Sequence, residues 1–402
     1  MTVPARAFQP PGRNPGEGGL PLHGVRVLEF GHVASAPFAG MCLADLGADV
    51  VKVEGPAGDQ MRVWPPVATG SDGERFSHNF AAVNRNKRSI VADLKDPAWL
   101  ASMQELCSHA DVVLENMRPG VLDRLGLGFE TLSAGHRGLI YCSISGYGPG
   151  SPYAGRGAYD VVIQAMSGLM SITGEPGGAP VKCGVPVAVF TAGLYAAVTI
   201  CALLPQVRQS GESRRLDCPM LDCLIAVSAL QTSEFWGTGR DPQPLGSRHP
   251  RNAPYQAFQA SDGPFVLAAG NDRLFAEVCT VAGLPDLATD ARFATQADRA
   301  ANQLELAGIL AGVFVIGPTA HWLDRLQSRG VPCGPVNTYA QMLGDDHMTA
   351  TGLLGELDLP VAGRTPAVAY PVRISGTPPR LDRPAPRLGA DTDNVLREWR
   401  KS

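Results

Sequence analysis

At 402 residues the chain is too long for one ordinary hydrophobic core and predicts two domains. A hydrophobic fraction of 45% against 18% charged residues excludes a disordered chain. The net charge of −4, without any basic block, argues against nucleic acid or a membrane surface as partner, so an anionic ligand has to be met by a few local cations.

Residues 1–22 are rich in Pro and Gly, lack an apolar h-region and are expected to form a disordered leader rather than a signal peptide. Val25–Phe30 has strand character, Phe38–Leu46 has helical spacing stopped by Gly47, and Val50–Val53 is a second strand. The three make a βαβ unit. Trp99–His109 reads as a helix, and Val112–Glu115 and Leu139–Ser143 as further strands, which predicts an open α/β fold with ligands at the carboxyl ends of parallel strands. No G-x-G-x-x-G follows the first strand, so NAD is not indicated.

Ala188–Leu204 is expected as a long buried helix, with a turn over Gln206–Ser213, and Cys223–Phe235 as another helix. The longest apolar stretch, Val185–Leu204, is interrupted by Pro186, Thr191 and Gly193 and is read as core rather than a membrane span. Gly237–Pro254, dense in Pro, Gly and Arg, predicts a functional loop. Strand Phe265–Ala269 and helices Arg273–Ala282, Asn302–Val313 and Thr319–Ser328 form a compact α+β unit, and Asp391–Arg400 a terminal helix. The domain reading is therefore a large α/β domain over 23–215, a linker and small domain over 216–335, and a return to the large domain over 336–402. Nine cysteines without C-x-x-C and scattered histidines point to reduced thiols, no metal site and a cytoplasmic setting.

Asn84-Arg85-Asn86-Lys87-Arg88 supplies three cations and two amides in five residues, and Arg118 precedes Pro119-Gly120 at a tight turn. Such groups suit phosphate, although a solvated charged surface has the same composition. His32 follows the first strand, where an α/β fold binds ligands, or else serves as a hydrogen-bonded structural residue. Asp160 is either a chemical carboxylate or the anchor of a helix start. Glu175, in a Gly- and Pro-rich turn, is either a substrate contact or a turn residue.

Four ordered segments carry a family resemblance: GVRVLEFGHVASAPFAGMCLADLGADVVKVEGPAGDQMR, NRNKRSIVAD, ENMRPGVLDRLGLG and residues 139–196. With later pieces they cover about residues 24–398, and the chain resembles the family III CoA-transferases, a group that also holds α-methylacyl-CoA racemase. The resemblance implies a Rossmann-like large domain, a smaller α+β domain, an interlocked homodimer, and acyl-CoA with a small carboxylic acid as substrates. It places CoA along His32, Val33 and Ala34, near Asn84, Lys87 and Arg88, and against Asn116, Met117 and Arg118. It also implies an aspartate nucleophile in the segment GVPVAVFTAG, but the residue at that position is Val189. Tyr159-Asp160 stands where the racemases carry His-Asp, so the chain is closer to the transferase branch. Gly246 and Arg248 fall in the loop that meets the acceptor, with Arg248 suited to a dicarboxylate such as succinate. No Asp or Glu lies between Glu175 and Gly211, so no neighbouring carboxylate replaces the missing one. Three readings remain: a transferase or derived acyl-CoA enzyme, a non-catalytic acyl-CoA-binding homologue or subunit, and an isomerase, racemase or lyase using Asp160 or His32.

Overall fold

The computed structural model describes residues 19–375, 377 and 380–400; most of the leader, residues 1–18, lies outside the described residues. The chain forms two units. The large one holds the chain up to Gly168, Cys183–Thr232 and the stretch from His347 on; the small one holds Leu169–Lys182 and Ser233–Asp346. These limits differ from the boundaries read in the sequence in three places, the first being that the large unit runs on to Thr232 instead of ending at residue 215. Leu169–Lys182 leaves the first domain because its turn bonds to the long loop, Gly246 N–H donating to Gly174 O at 2.8 Å. The return begins at His347 instead of residue 336.

The large unit opens with β1 (Arg26–Phe30), α1 (Ser35–Asp45) and β2 (Asp49–Glu54). A small hairpin of β3 (Val67–Thr69) and β4 (Arg75–Ser77) leads through α2 (His78–Asn84) into β5 (Arg88–Val91). Then come α3 (Pro97–Ser108), β6 (Val112–Glu115), α4 (Val121–Arg124), α5 (Phe129–Gly135), β7 (Ile140–Ser145), α6 (Asp160–Met166), α7 (Val187–Ser210), β8 (Arg214–Pro219) and α8 (Met220–Val227). The main sheet runs β5-β2-β1-β6-β7-β8, and every adjacent pair is parallel.

Strand alternation divides the charges from the apolar core. Leu28 and Phe30 of β1, Val51 and Val53 of β2 and Val113 of β6 pack against Met103, Leu106 and Leu132, and the terminal helix Thr392–Arg400 adds Val395 and Trp399. Glu29 and Lys52 face the other way, toward α1.

Helix α7 runs on to Ser210, beyond the turn expected at Gln206, because Pro205 does not end it and Leu204 and Val207 remain buried; Gly211 then stops it at φ 71°. By length and composition α7 would cross a membrane, yet it packs against α1, α6, α8 and β7. Leu194 and Val198 on α7 stay exposed, as do Val161 on α6 and Val227 on α8. The expected helix over Cys223–Phe235 is interrupted at Ser228, between α8 and Ala229–Thr238.

The small unit carries β9 (Tyr255–Gln259), β10 (Pro264–Ala268) and β11 (Cys333–Pro335) in an antiparallel sheet ordered β11-β10-β9. Its core joins Phe258, Phe265, Phe275, Phe314 and Trp322. Buried Arg299 ties the long loop to this core, donating to Ala253 O at 3.1 Å and Asp272 Oδ1 at 2.6 Å.

Helix α1 crosses a buried carboxylate at a glycine. A Cβ on Gly40 would stand 2.1 Å from Glu29 Oε2. Ala is the better helix former by about 1 kcal/mol, but overpacking costs about 1–3 kcal/mol, and here the displaced oxygen is a buried, paired charge. Gly40→Ala is therefore expected to lower unfolding free energy by about 2 kcal/mol, read from the urea midpoint at unchanged slope.

Candidate active site

The strand order reverses direction between β1 and β6, and the loops after these strands meet at that point. His32 N–H donates to Asn116 Oδ1 at 2.8 Å. The Asn116 amide in turn donates to His32 O and to Ser35 Oγ, both at 2.9 Å. From the other side the Asp59 carboxylate accepts from Val33 N–H at 3.1 and 3.2 Å. Val33 is thereby held at φ 63°, a left-handed conformation that costs a β-branched residue on the order of 1–3 kcal/mol. Helix α1 begins just after this loop with no side-chain cap. Its first-turn N–H groups therefore suit an oxyanion or phosphate.

A balanced cluster of buried charges lies beneath the loop. Lys52 Nζ meets Glu29 Oε1 at 3.2 Å and Asp59 Oδ2 at 3.0 Å, and donates to Gly31 O at 2.6 Å. Lys87 Nζ meets Glu29 Oε2 at 2.8 Å and donates to Pro37 O at 2.7 Å. Arg62 forks onto Glu54 at 2.7 and 2.6 Å, and Glu54 accepts Asp59 N–H at 3.0 Å. Burial pulls the Lys52 ammonium down, but Glu29, Asp59 and Glu54 outweigh it and hold the pKa above its ordinary value. Burial wins at Lys87, which falls to about 8 despite Glu29. Burial would raise Asp59, but Lys52 and the Met61 N–H keep it low. The His32 imidazole is lowered by burial and then by Lys52, which favours the neutral ring.

These contacts change the reading of Asn84–Arg88. The five residues are buried and do not offer free cations. Asn84 accepts from Lys87 Nζ at 2.9 Å. Arg85 pairs with Asp45 at 2.5 Å, and Arg88 pairs with Asp49 and with Glu398, the latter at 2.7 Å. The partners are far away in sequence, so the cluster resembles a surface patch until the fold is known. Arg118 lies exposed on the turn after Asn116 and Met117, which follows the carboxyl end of β6. The sequence reading missed Glu29, Lys52, Glu54 and Asp59. Three of them were detectable as charges within otherwise apolar strands of a sheet covered on both faces.

Val189 lies in the first turn of α7, half-buried. The next residue, Phe190, packs against Phe38 of α1, with ring centroids 4.6 Å apart and the rings tilted by 41°. One turn on, a Cβ at Gly193 would sit 3.0 Å from Ser35 O, so glycine lets α7 approach the start of α1. Position 189 thus stands beside the His32–Ala34 loop. The neighbouring carboxylate is already committed: Asp160 Oδ1 accepts from Ala188 N–H at 2.9 Å and Val189 N–H at 3.4 Å, and Oδ2 from Gln164 Nε2 at 2.5 Å. Asp160 is a helix cap supplied from α6. Tyr159 is 77% exposed.

In the small unit, Glu175 and Gly246 meet. Gly246 has φ +62°, and a Cβ there would lie 2.7 Å from Glu175 Oε2. Arg248 Nε donates to Leu245 O at 3.1 Å, and His249 stacks on Tyr255. Gln303 Nε2 donates to His249 O at 3.0 Å, which fastens the loop to its own unit.

Residues 22–392 match the model of CoA-transferase family III. A succinate–glutarate CoA-transferase of Agrobacterium fabrum is 42% identical over 94% of this chain and 95% of its own length. A human succinyl-CoA:glutarate CoA-transferase is 38% identical over 94% of this chain and 86% of its own. The crystal structure of a CaiB/BaiF family protein from Brucella suis superposes with a TM-score of 0.85 at 39% identity, covering 94% of this chain and 99% of that one. The chain belongs to CoA-transferase family III.

Glu115 braces the Asn116 turn, accepting from Met117 N–H at 2.7 Å and from Ser143 Oγ. Burial pushes its pKa up to about 7 against these bonds. Between the ordinary glutamate value and pH 7 the folded chain therefore binds more protons than the unfolded one, so this contribution to stability falls as pH rises through that window. Relative to Glu115→Gln, the native chain should lose about 1–3 kcal/mol between pH 4.5 and 7.5, with a flat difference above that, as read by urea unfolding across pH.

Proposed function

We propose that the chain is the acyl-CoA-binding scaffold of a succinyl-CoA:dicarboxylate CoA-transferase, and that residue 189, as valine, cannot carry the acyl group. The observation that carries this reading is the placement of Val189. It occupies the first turn of α7 beside the His32–Ala34 loop, where an aspartate would present a carboxylate. Valine brings no lone pair, and Asp160 is held as a cap by two backbone N–H groups and Gln164. That commitment weighs against an isomerase or lyase using Asp160, and the Asn116 clamp gives the His32 backbone a structural task of its own.

The succinate–glutarate and succinyl-CoA:glutarate relatives support a four- or five-carbon dicarboxylate as the acid partner. The CoA phosphates would be met by Arg118 and the first turn of α1, with the thiol arm running along His32–Ala34. We further propose a homodimer of the interlocked kind, which would cover the apolar residues that α6, α7 and α8 leave exposed. A reducing cytoplasmic setting is proposed from the sequence, whose nine cysteines include no C-x-x-C.

The test is thioester exchange between succinyl-CoA and glutarate. Val189→Asp should raise the exchange rate by about 10³-fold or more and give a hydroxylamine-sensitive adduct in the intact mass. Equal exchange by the native and substituted proteins would refute the reading, as would a folded Val189→Asp protein with no exchange.

A further inference from the structure

Asn86, Lys87 and Arg88 of the buried motif line a cavity at the amino edge of the sheet. This cavity, of about 720 Å³, lies at the starts of β1, β2 and β5 and is lined as well by the segment from Arg380 to Asp391. The start of the segment is held by Asn86, and its later part by Arg62, which donates to Pro386 O at 3.1 Å, and by Ser89 Oγ, which accepts from Gly389 N–H at 2.9 Å. Asn86, at φ 61°, donates through Nδ2 to Arg380 O at 3.0 Å and accepts at Oδ1 from Asp382 and Arg383 N–H at 3.2 and 3.1 Å; its own N–H bonds Arg383 O at 3.0 Å. Pro384 and Pro386 stiffen the next part of the segment.

The lining sets five arginines, Arg26, Arg88, Arg380, Arg383 and Arg387, with His23, against the carboxylates Asp49, Asp391 and Glu398. The carboxylates are engaged. Asp49 holds Arg88 and the Trp399 indole, Glu398 holds Arg88, and Asp391 accepts Ser89 N–H at 2.9 Å. Arg380 pairs with Asp382, and Arg387 pairs at the surface with Glu74. Arg26 lies over the Trp399 ring. No carboxylate among the described residues is paired with Arg383, which is exposed.

We propose that this cavity binds a polyphosphate anion, separately from the substrate site on the opposite edge of the sheet. Arg383 has no carboxylate partner among the described residues, and Arg380 and Arg387 are held only by carboxylates at the surface, Asp382 and Glu74, which a multiply charged anion of tetrahedral oxyanions displaces more readily than a single small carboxylate does. The segment is already ordered by Asn86, Arg62 and Ser89, so little conformational freedom is lost on binding. Occupancy of this cavity is independent of the residue at position 189.

The experiment is calorimetric titration of the full chain with inorganic triphosphate and with ATP at low salt. Binding should weaken at least tenfold in Arg383→Glu and in Arg383→Ala/Arg387→Ala, whose side chains lie on the surface. Equal affinity for both probes assigns the site to the phosphate chain alone, whereas tenfold tighter ATP assigns it to a nucleotide, and either supports the proposal. No heat at millimolar triphosphate, or an affinity unchanged in both variants, overturns it.

Discussion

The large unit depends on a set of charges taken out of water beneath the β1–α1 loop. Two lysines, Lys52 and Lys87, share the carboxylate of Glu29, and Lys52 reaches Asp59 as well. Such a cluster yields little net stability compared with an apolar core, because desolvation offsets much of the Coulomb gain. What it provides here is position. Lys52 grips Gly31 O, Asp59 grips Val33 N–H, and Lys87 grips Pro37 O, so three points along one loop and helix start are tied to one network. Removing Glu29 strands Lys87 and removing Lys52 strands Asp59, and a buried charge left without its ion-pair partner typically costs about 3–5 kcal/mol. The left-handed Val33 persists because the same network pins it.

Asn116 brings in the second loop, and the pairing of α1 with α7 brings in the third part of the site. Gly193 and the Phe38–Phe190 contact put the first turn of α7 against the first turn of α1. The first turn of α7 is therefore fixed in place, in part by the cap from Asp160. Valine is close to aspartate in size, so the architecture accommodates it, but its side chain offers no lone pair.

Much of the fold was legible because parallel strands buried on both faces read as short apolar runs, and the helices between them carry clear periodicity. Val112–Glu115 was found to the residue for this reason. The course of α7 past Pro205 was not legible: local propensity says turn, and only the burial of Leu204 and Val207 keeps the helix going. The site was legible in its backbone loops and obscure in its charges. Arg85 and Arg88 look like phosphate ligands in sequence because Asp45, Asp49 and Glu398 are distant along the chain, and pairing at long separation leaves no local trace. Asp160 was open to either role, and its two backbone donors on α7 assign it to the helix start.

The central claim is that the chain retains a CoA site while lacking the group that would carry the acyl chain. Calorimetric titration of CoA into the native protein and into Val189→Asp tests it most directly. The account predicts one CoA per chain in both, with affinities within about threefold, since position 189 serves the reaction and the loops serve binding. A native chain that takes up no CoA while the substituted chain does would contradict it.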